Sequence, residues 1–253
     1  MPSNTTIVCA SAAAGFVAAL LAPRLRKIVA KRLSPPKLSY FDIPGLGEPI
    51  RLALAYLEVP FDDHRFANRG EFLALKPTLK FGQVPCLQVD GAELFQSAAI
   101  LRFVATRYDA SGTLYPADPA QACEVDALVD QVKDMTQGWG PLRYRERFGF
   151  PADLFDDATQ KKCEEFYLRD TLPRHLAYFA TVLQAHPTSP WLCGGTHPTI
   201  ADFMFATVVH NTFVLKDWGV KIEMPPAVQA LIDALYALPA CKDFKEDEAK
   251  PLA

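Results

Sequence analysis

Two hydroxyl-bearing side chains stand at positions where a folded chain can bind an anion. Tyr40 lies near the end of the short strand-like run "KLSYF", just before the turn-rich stretch "DIPGLGEP". A phenolic hydroxyl there can donate one hydrogen bond to a neighbouring anion. Ser97 opens a predicted helix, where a hydroxyl and unpaired backbone N–H groups form an anion site. Each residue has a structural alternative, Tyr40 as an ordinary strand aromatic and Ser97 as a plain helix N-cap.

Cysteine and metal chemistry have less support. The six cysteines are scattered without a C-x-x-C pair, which indicates reduced thiols rather than a disulfide framework. The five histidines form no H-x-x-x-H pattern and no His/Cys cluster, so a zinc site is not expected.

Charge and length limit the classes of function. The 253 residues allow one large domain or two small ones. The formal net charge is −3, from 26 basic and 29 acidic residues. Six of the basic residues precede the first acid, Asp42, so the rest of the chain is distinctly acidic. An acidic body argues against nucleic acid as the main partner.

The N-terminal segment differs from the rest in composition. Met1 to Pro23 carries no charged side chain, and a basic run follows at once. A helix over residues 7–22 reaches roughly 25 Å, which is marginal for a hydrocarbon core of about 30 Å. We therefore predict residues 1–36 to be a hydrophobic segment with a basic linker, associating with a membrane through residues 5–22. The basic flank then leaves the body facing the cytoplasm. A cleaved organelle-targeting peptide and a disordered or peripheral helix are the alternatives.

Beyond the "SPPK" linker the elements alternate. Strand-like "KLSYF" is followed by a helical pattern in "EPIRLALAYLEV", a second short strand in "PFDDHRF" and an irregular helical turn in "GEFLALKPT". "VPCLQVDGAELF" is a hairpin around Asp90-Gly91, and "QSAAILRFVATRY" is a helix. The order β-α-β-α-β-β-α predicts a small mixed sheet with helices and suggests a thioredoxin-like fold. The loop after the first strand holds no cysteine, so disulfide exchange is not expected there.

After the turn-forming run "GTLYPADP" the sequence shows only helical periodicity. The predicted helices lie in "AQACEVDALVDQVKDM", "FYLRDTLPRHLAYFATVLQAH", "TIADFMFATVVHNTF" and "PAVQALIDALYALP". We predict an α+β protein with a thioredoxin-like domain at residues 37–111 and an all-helical domain at residues 120–245. "THPTIADF" contains a capping box with Asp202 as its acid, running into a nearly all-apolar helix that must be buried on all sides.

At this point the chain resembles a known family. The blocks "LSYF", "GLGEPIRLALAYLEVPF" and "LKFGQVPCLQVDGAELFQSAAILRFVATRY", followed by a helical half, are similar to the cytosolic glutathione transferases. The closest class by pattern is Sigma, which includes the haematopoietic prostaglandin D synthases. The resemblance covers residues 37–245, and its most specific parts are the strand tyrosine and the "FGQVP" to "QSAAI" block.

The resemblance gives Tyr40 a chemical task, the activation of the glutathione thiol. A free thiol with a pKa of about 8.5 is mostly protonated at neutral pH. A decrease of about two pKa units requires about 2.7 kcal/mol of preference for the thiolate. One hydrogen bond to an anion is worth about 1.5–3 kcal/mol, so the Tyr40 hydroxyl can supply most of this.

The resemblance also implies which residues hold the tripeptide. The γ-glutamyl carboxylate would lie at Ser97, with Gln96 beside it. A cis bond between Val84 and Pro85 would leave the Val84 backbone free to pair with the cysteinyl part. The alternative is an ordinary trans proline at the start of a strand.

Three further residues are assigned to the glycine end of glutathione by the same resemblance. Lys76 would meet the glycyl carboxylate, and Gln83 would lie nearby. Phe72 occupies a position where many Sigma members have a tryptophan, whose N–H donates; phenylalanine cannot donate. Taken without the family pattern, these residues would be ordinary surface residues.

Asp134 is expected to act across a dimer. In Sigma dimers the matching acid reaches the α-amino group of the glutathione in the partner subunit, so we expect a homodimer here. Asp130 shares the helical face of Asp134, and a solvated acidic face is the alternative. Relatives with three acids here bind a divalent cation, but this chain has Lys133 at the middle position, so no metal is expected.

The electrophile pocket departs from the family pattern. Leu46 stands where several Sigma members have an arginine close to the thiolate, which predicts weaker activation and argues against prostaglandin D synthase activity. The remaining candidates for this pocket come from "MTQGWGPLRY": Met135, Trp139, Arg143 and Tyr144.

The sequence thus predicts a glutathione transferase that conjugates electrophiles, with glutathione as co-substrate and detoxification as the broad role. Reduction of organic hydroperoxides is a second expected activity. A glutathione-dependent isomerase and a non-catalytic glutathione- or ligand-binding protein are the alternatives, together with a membrane-tethered dimerisation scaffold.

Overall fold

A four-stranded sheet forms the first half of the fold. The computed structural model describes residues 35–244. The strands lie in the order β2-β1-β3-β4, with β1 parallel to β2 and antiparallel to β3, and β3–β4 a hairpin. This confirms the predicted β-α-β-α-β-β-α order. The elements are β1 (Lys37–Phe41), α1 (Glu48–Tyr56), β2 (Asp62–Phe66), α2 (Arg69–Leu75), β3 (Cys86–Val89), β4 (Ala92–Phe95) and α3 (Ser97–Tyr108).

The second half consists of helices: α4 (Pro119–Gln137), α5 (Trp139–Arg143), α6 (Asp157–Phe166), α7 (Leu172–Gln184), α8 (Ile200–Val209) and α9 (Pro226–Ala237). The sequence analysis missed α5 and α6. Helix α6, "DATQKKCEEF", is mostly polar and buries none of its residues, so its sequence offers few apolar positions that would indicate a helix. It continues into α7 through a π-helical turn, Tyr167–Thr171.

One apolar core joins the two halves. The ring of Tyr56 on α1 packs against Phe203 on α8, with 5.6 Å between the ring centroids. The Ile200 N–H donates to the carbonyl of Leu114 at 2.9 Å. Arg102 on α3 forms an ion pair of 2.6 Å with Asp126 on α4. The sheet and the helical half therefore hold fixed positions relative to each other.

The predicted capping box at the start of α8 is present. Asp202 is fully buried, and its carboxylate accepts hydrogen bonds from the backbone N–H groups of Thr199 at 2.7 Å and Leu192 at 2.8 Å. Every residue of α8 is buried, as its apolar sequence predicts. This helix is a central element of the core.

The predicted membrane anchor and targeting segment, residues 1–36, lie almost wholly outside the described residues. Among residues 35–244, none of the helices is both long enough and apolar enough to span a bilayer.

Candidate active site

Tyr40 lies under the loop that follows β1. Its side chain is 7% exposed, and its hydroxyl oxygen accepts a hydrogen bond of 3.0 Å from the Leu46 N–H. The ring fills the space beneath two glycines. A Cβ at Gly45, where φ is +45°, would come within 2.6 Å of the tyrosine oxygen, and one at Gly47 within 2.7 Å of the ring. The loop is therefore shaped around the tyrosine, and the hydroxyl proton remains available to donate.

Burial raises the pKa of Tyr40 above its ordinary value. The Leu46 N–H and the charges of Arg147 and Arg51 act in the opposite direction but do not cancel the effect of burial. The phenol is therefore neutral at physiological pH and can act as a hydrogen-bond donor to an anion.

One buried guanidinium holds this loop. Arg51 on α1 is fully buried and donates to the carbonyl oxygens of Ile43 at 3.1 Å and Pro44 at 3.3 Å. It also forms ion pairs with Asp63 at 2.9 Å and Glu48 at 3.3 Å. Arg51 thus anchors the loop that carries the Leu46 N–H.

A cleft opens beside the β3 end of the sheet. The Val84–Pro85 peptide bond on its wall is cis, as predicted. Five of the residues predicted to bind glutathione line this cleft, and the predicted electrophile-pocket residue Leu46 lies on its wall too. The lining residues are Leu46, Phe81, Gln83, Val84, Pro85, Phe95, Gln96, Ser97 and Arg147.

The N terminus of α3 lies at this cleft. Gln96 precedes the helix with a φ of +71°, a strained conformation for a residue with a side chain and one that is concentrated at functional sites. The Ser97 hydroxyl has no hydrogen-bond partner among residues 35–244. A hydroxyl and helix N–H groups beside an open cleft are an arrangement that can bind an anion.

Cys86 follows the cis proline directly. It is 2% exposed, and burial raises the pKa of its thiol to about 11. All five described cysteines are free thiols.

Lys76 and Phe72 do not line the cleft. Lys76 is exposed on the 3-10 turn after α2, and its stem lies about 3.5 Å from the position that a Cβ on Gly82 would take. Phe72 packs against Phe41, with 5.0 Å between ring centroids, and against Phe66 at 5.9 Å. The side chain of Phe72 therefore stabilises the β1–β2 edge in this structure.

Two residues predicted for the electrophile pocket are buried in this structure. Met135 is fully buried, and its carbonyl accepts the hydroxyl of Tyr167. Trp139 is 5% exposed and packs edge-on against Trp218 at 4.8 Å. Both belong to the helical core because the apolar face of α4 and α5 turns inward.

Arg143 also lies away from the cleft wall. It forms an ion pair of 2.7 Å with Glu164, and its guanidinium lies 5.0 Å from the centroid of the Trp218 ring. These contacts tie α5 to α6 and to the core.

Asp134 is exposed on α4 and does not line the cleft of its own chain. Asp130, one turn earlier, forms an ion pair of 2.7 Å with Lys133. Residues 35–244 contain no group of three or more potential metal-ligating side chains.

Three cleft residues were not predicted: Phe81, Phe95 and Arg147. Phe81 is 52% exposed. Arg147 lies in a 3-10 helix, Arg145–Phe148, which no periodic pattern in the sequence predicts. The only sequence signal for the latter was the run "RYRERF", with three arginines in six residues.

Comparisons with known proteins agree with this geometry. Models of the "Glutathione S-transferase, N-terminal domain" and of the "Glutathione S-transferase, C-terminal domain" match residues 36–106 and 150–248. "Glutathione S-transferase 4" of Caenorhabditis elegans is 42% identical over 208 residues, which is 82% of this chain and 94% of that protein. "Hematopoietic prostaglandin D synthase" of Rattus norvegicus is 40% identical over 205 residues, 81% of this chain and 92% of that one.

Solved structures give the same result. The prostaglandin synthase D of Nilaparvata lugens superposes with a TM-score of 0.71 at 29% identity, covering 86% of this chain and all of that one. The glutathione S-transferase of Ascaris lumbricoides superposes with a TM-score of 0.65 at 29% identity, covering 87% of this chain and all of the other.

Proposed function

Since the chain belongs to the glutathione S-transferase family, we propose that it conjugates glutathione to soft electrophiles through a thiolate stabilised by Tyr40. The observation that carries this proposal is the Tyr40 hydroxyl, which is neutral, enclosed and positioned by the Leu46 N–H. A donor already held in place needs no reorganisation when the thiolate forms.

The cleft residues supply the binding site for the tripeptide. The γ-glutamyl carboxylate would accept hydrogen bonds from Ser97 and the N terminus of α3, with Gln96 beside it. The backbone of Val84 would pair with the cysteinyl part. Lys76, on the turn near Gln83, would reach the glycyl carboxylate by extending its flexible side chain.

The reaction then needs only positioning and deprotonation. The thiol proton leaves to solvent, and the sulfur, hydrogen-bonded by Tyr40, attacks the electrophilic carbon. With a halogenated aromatic substrate, a sulfur–carbon bond forms and the halide leaves with its bonding electrons. The same thiolate can attack the terminal oxygen of an organic hydroperoxide. A sulfur–oxygen bond forms, the O–O bond breaks, and the alkoxide leaves and takes up a proton to become the alcohol. The glutathione sulfenic acid then reacts with a second glutathione to give the disulfide and water.

The pH profile tests the state of Tyr40. We expect kcat to increase with pH along one titration, that of the bound thiol, centred about two units below the free value of about 8.5. Because burial raises the pKa of Tyr40, the rate should then stay level towards about pH 10, where an ordinary tyrosine begins to ionise. Initial rates with a chromogenic electrophile measure this. A profile that follows the free thiol would contradict the proposal.

Glutathione-dependent isomerisation is the second candidate, favoured by the likeness to the proteins named prostaglandin D synthase. Leu46, on the cleft wall, brings no charge to the sulfur. We therefore expect conjugation to exceed isomerisation of an endoperoxide. Endoperoxide turnover in the absence of conjugation would reverse this order. Retention on immobilised glutathione with neither activity would indicate a binding protein.

We propose a homodimer in which Asp134 completes the partner's site. Asp134 is exposed and lies outside the cleft of its own chain, as such a role requires. Asp134→Asn should increase the KM for glutathione several-fold with little change in kcat. Asp130→Asn is the matched control, because Asp130 is already paired with Lys133. Sedimentation should give twice the 28.0 kDa chain mass, and an active monomer would refute the proposal.

A further inference from the structure

A cationic side chain, Arg147, closes the cleft on the side of the helical half. The residues assigned to glutathione, such as Val84 and Ser97, belong to the sheet-containing half, whereas Arg147 projects from the 3-10 helix Arg145–Phe148. Its charge acts on the Tyr40 hydroxyl and favours an anion there. Arg147 therefore brings a positive charge to the cleft from the helical half, whereas the glutathione-binding residues that line the cleft come from the other half.

The three arginines of residues 143–147 differ in whether another side chain holds them. Arg143 is held by Glu164 at 2.7 Å. Arg145 donates to Gln160 and lies 5.8 Å from the centroid of the Phe155 ring. The side chain of Arg147 makes no hydrogen bond or ion pair with residues 35–244, and it is exposed.

Apolar side chains share the cleft with Arg147, and exposed aromatic residues flank it in the sequence. Tyr144, Phe148 and Phe150 are 55%, 46% and 44% exposed. Leu46 presents an aliphatic side chain to the same cleft. A cation beside aliphatic and aromatic side chains in a cleft suits a molecule with an apolar body and one acidic group.

Resting on the proposed conjugation reaction, we propose that Arg147 binds an acidic group of the electrophile, so that the enzyme prefers apolar electrophiles carrying a carboxylate. The carboxylates of glutathione already have Ser97, the α3 N terminus and Lys76 as partners. A guanidinium binds a carboxylate through two parallel N–H···O bonds, which fixes orientation as well as charge. The reactive carbon of such a substrate would be held towards the sulfur.

The test compares two electrophiles with the same reactive centre: a chloronitrobenzoate, and the chloronitrobenzamide in which a neutral amide replaces the carboxylate. In both, the sulfur–carbon bond forms and chloride leaves. The measured quantity is the ratio of kcat/KM for the acid to that for the amide. Taking the ratio cancels any effect on thiol activation, glutathione binding or the fraction of folded protein.

We expect Arg147→Gln to lower this ratio about five- to tenfold, because one charge-assisted bond to a partly solvated group is lost. Arg147→Lys should retain part of the preference. Arg145→Gln, which removes the same charge from the same short helix, should leave the ratio unchanged.

An Arg147→Gln variant that loses activity equally on both probes would overturn this preference and assign the residue to the glutathione end instead. An unchanged ratio with normal rates would overturn it as well. If the wild-type protein conjugates neither probe, the proposed function itself is contradicted. This outcome differs from failure of the Arg147 proposal, in which both probes react but the ratio does not change.

Discussion

Tyr40→Phe should lower the rate of conjugation about tenfold or more at neutral pH while leaving the affinity for glutathione nearly unchanged. Phenylalanine keeps the ring that fills the space beneath Gly45 and Gly47, so the loop should retain its shape. Only the hydroxyl that would donate to the thiolate is lost, and a hydrogen bond of that kind is worth about 1.5–3 kcal/mol. The pKa of the bound thiol should return towards its free value of about 8.5, and its ultraviolet thiolate absorbance should decrease accordingly.

The discriminating measurement is the comparison of kcat with KM. A loss confined to kcat means that the hydroxyl acts mainly in the reacting state, and the rate should recover at high pH, where the thiol ionises unaided. A matched control is Tyr56→Phe, which removes a hydroxyl from α1 and its contact with His197. Equal rates for wild type and Tyr40→Phe across the pH range would refute the role given to Tyr40.

Arg51→Met should lower the free energy of unfolding by about 3 kcal/mol, more than any other substitution considered above. Removing one member of a buried ion pair typically costs about 3–5 kcal/mol, because the partner charge is left uncompensated. The lower end applies here since Asp63 is 25% exposed, although Glu48 is fully buried. Conjugation should also weaken, because the loop that carries the Leu46 N–H loses its anchor at Ile43 and Pro44.

Urea denaturation at fixed protein concentration measures this loss, with Arg65→Met as the control. Arg65 forms ion pairs with Asp63 at 2.7 Å and Asp42 at 3.2 Å, but it is 24% exposed. Such a pair contributes about 1 kcal/mol or less. Similar losses for the two variants would mean that Arg51 does not anchor the loop as described.

The sequence predicted those parts of the fold that local patterns determine. Asp90-Gly91 predicted the β3–β4 hairpin, and the capping box predicted the start of α8, because both patterns depend on only a few neighbouring residues. The cis peptide bond at Val84–Pro85 was predicted from the family resemblance, because amino-acid propensities do not distinguish cis from trans proline there.

Sequence patterns say least about positions that tertiary packing decides. Met135 and Trp139 were assigned to an open pocket, but the direction of an amphipathic face depends on which helices cover it. The polar helix α6 escaped detection because it buries no residue. Arg147 reaches the cleft through an irregular segment whose course follows from no periodicity.

The burial of the Cys86 thiol affects whether the protein is alkylated by its own electrophilic substrates. An enzyme that concentrates alkylating agents beside a nucleophile exposes every nearby sulfhydryl to the same reagent. Cys86 follows Pro85, a residue of the cleft wall, in the chain, yet its enclosure and its pKa of about 11 keep it protonated and out of reach. Among the cysteines of residues 35–244, modification should therefore begin at the exposed Cys123, which does not line the cleft, so that turnover can outlast surface modification.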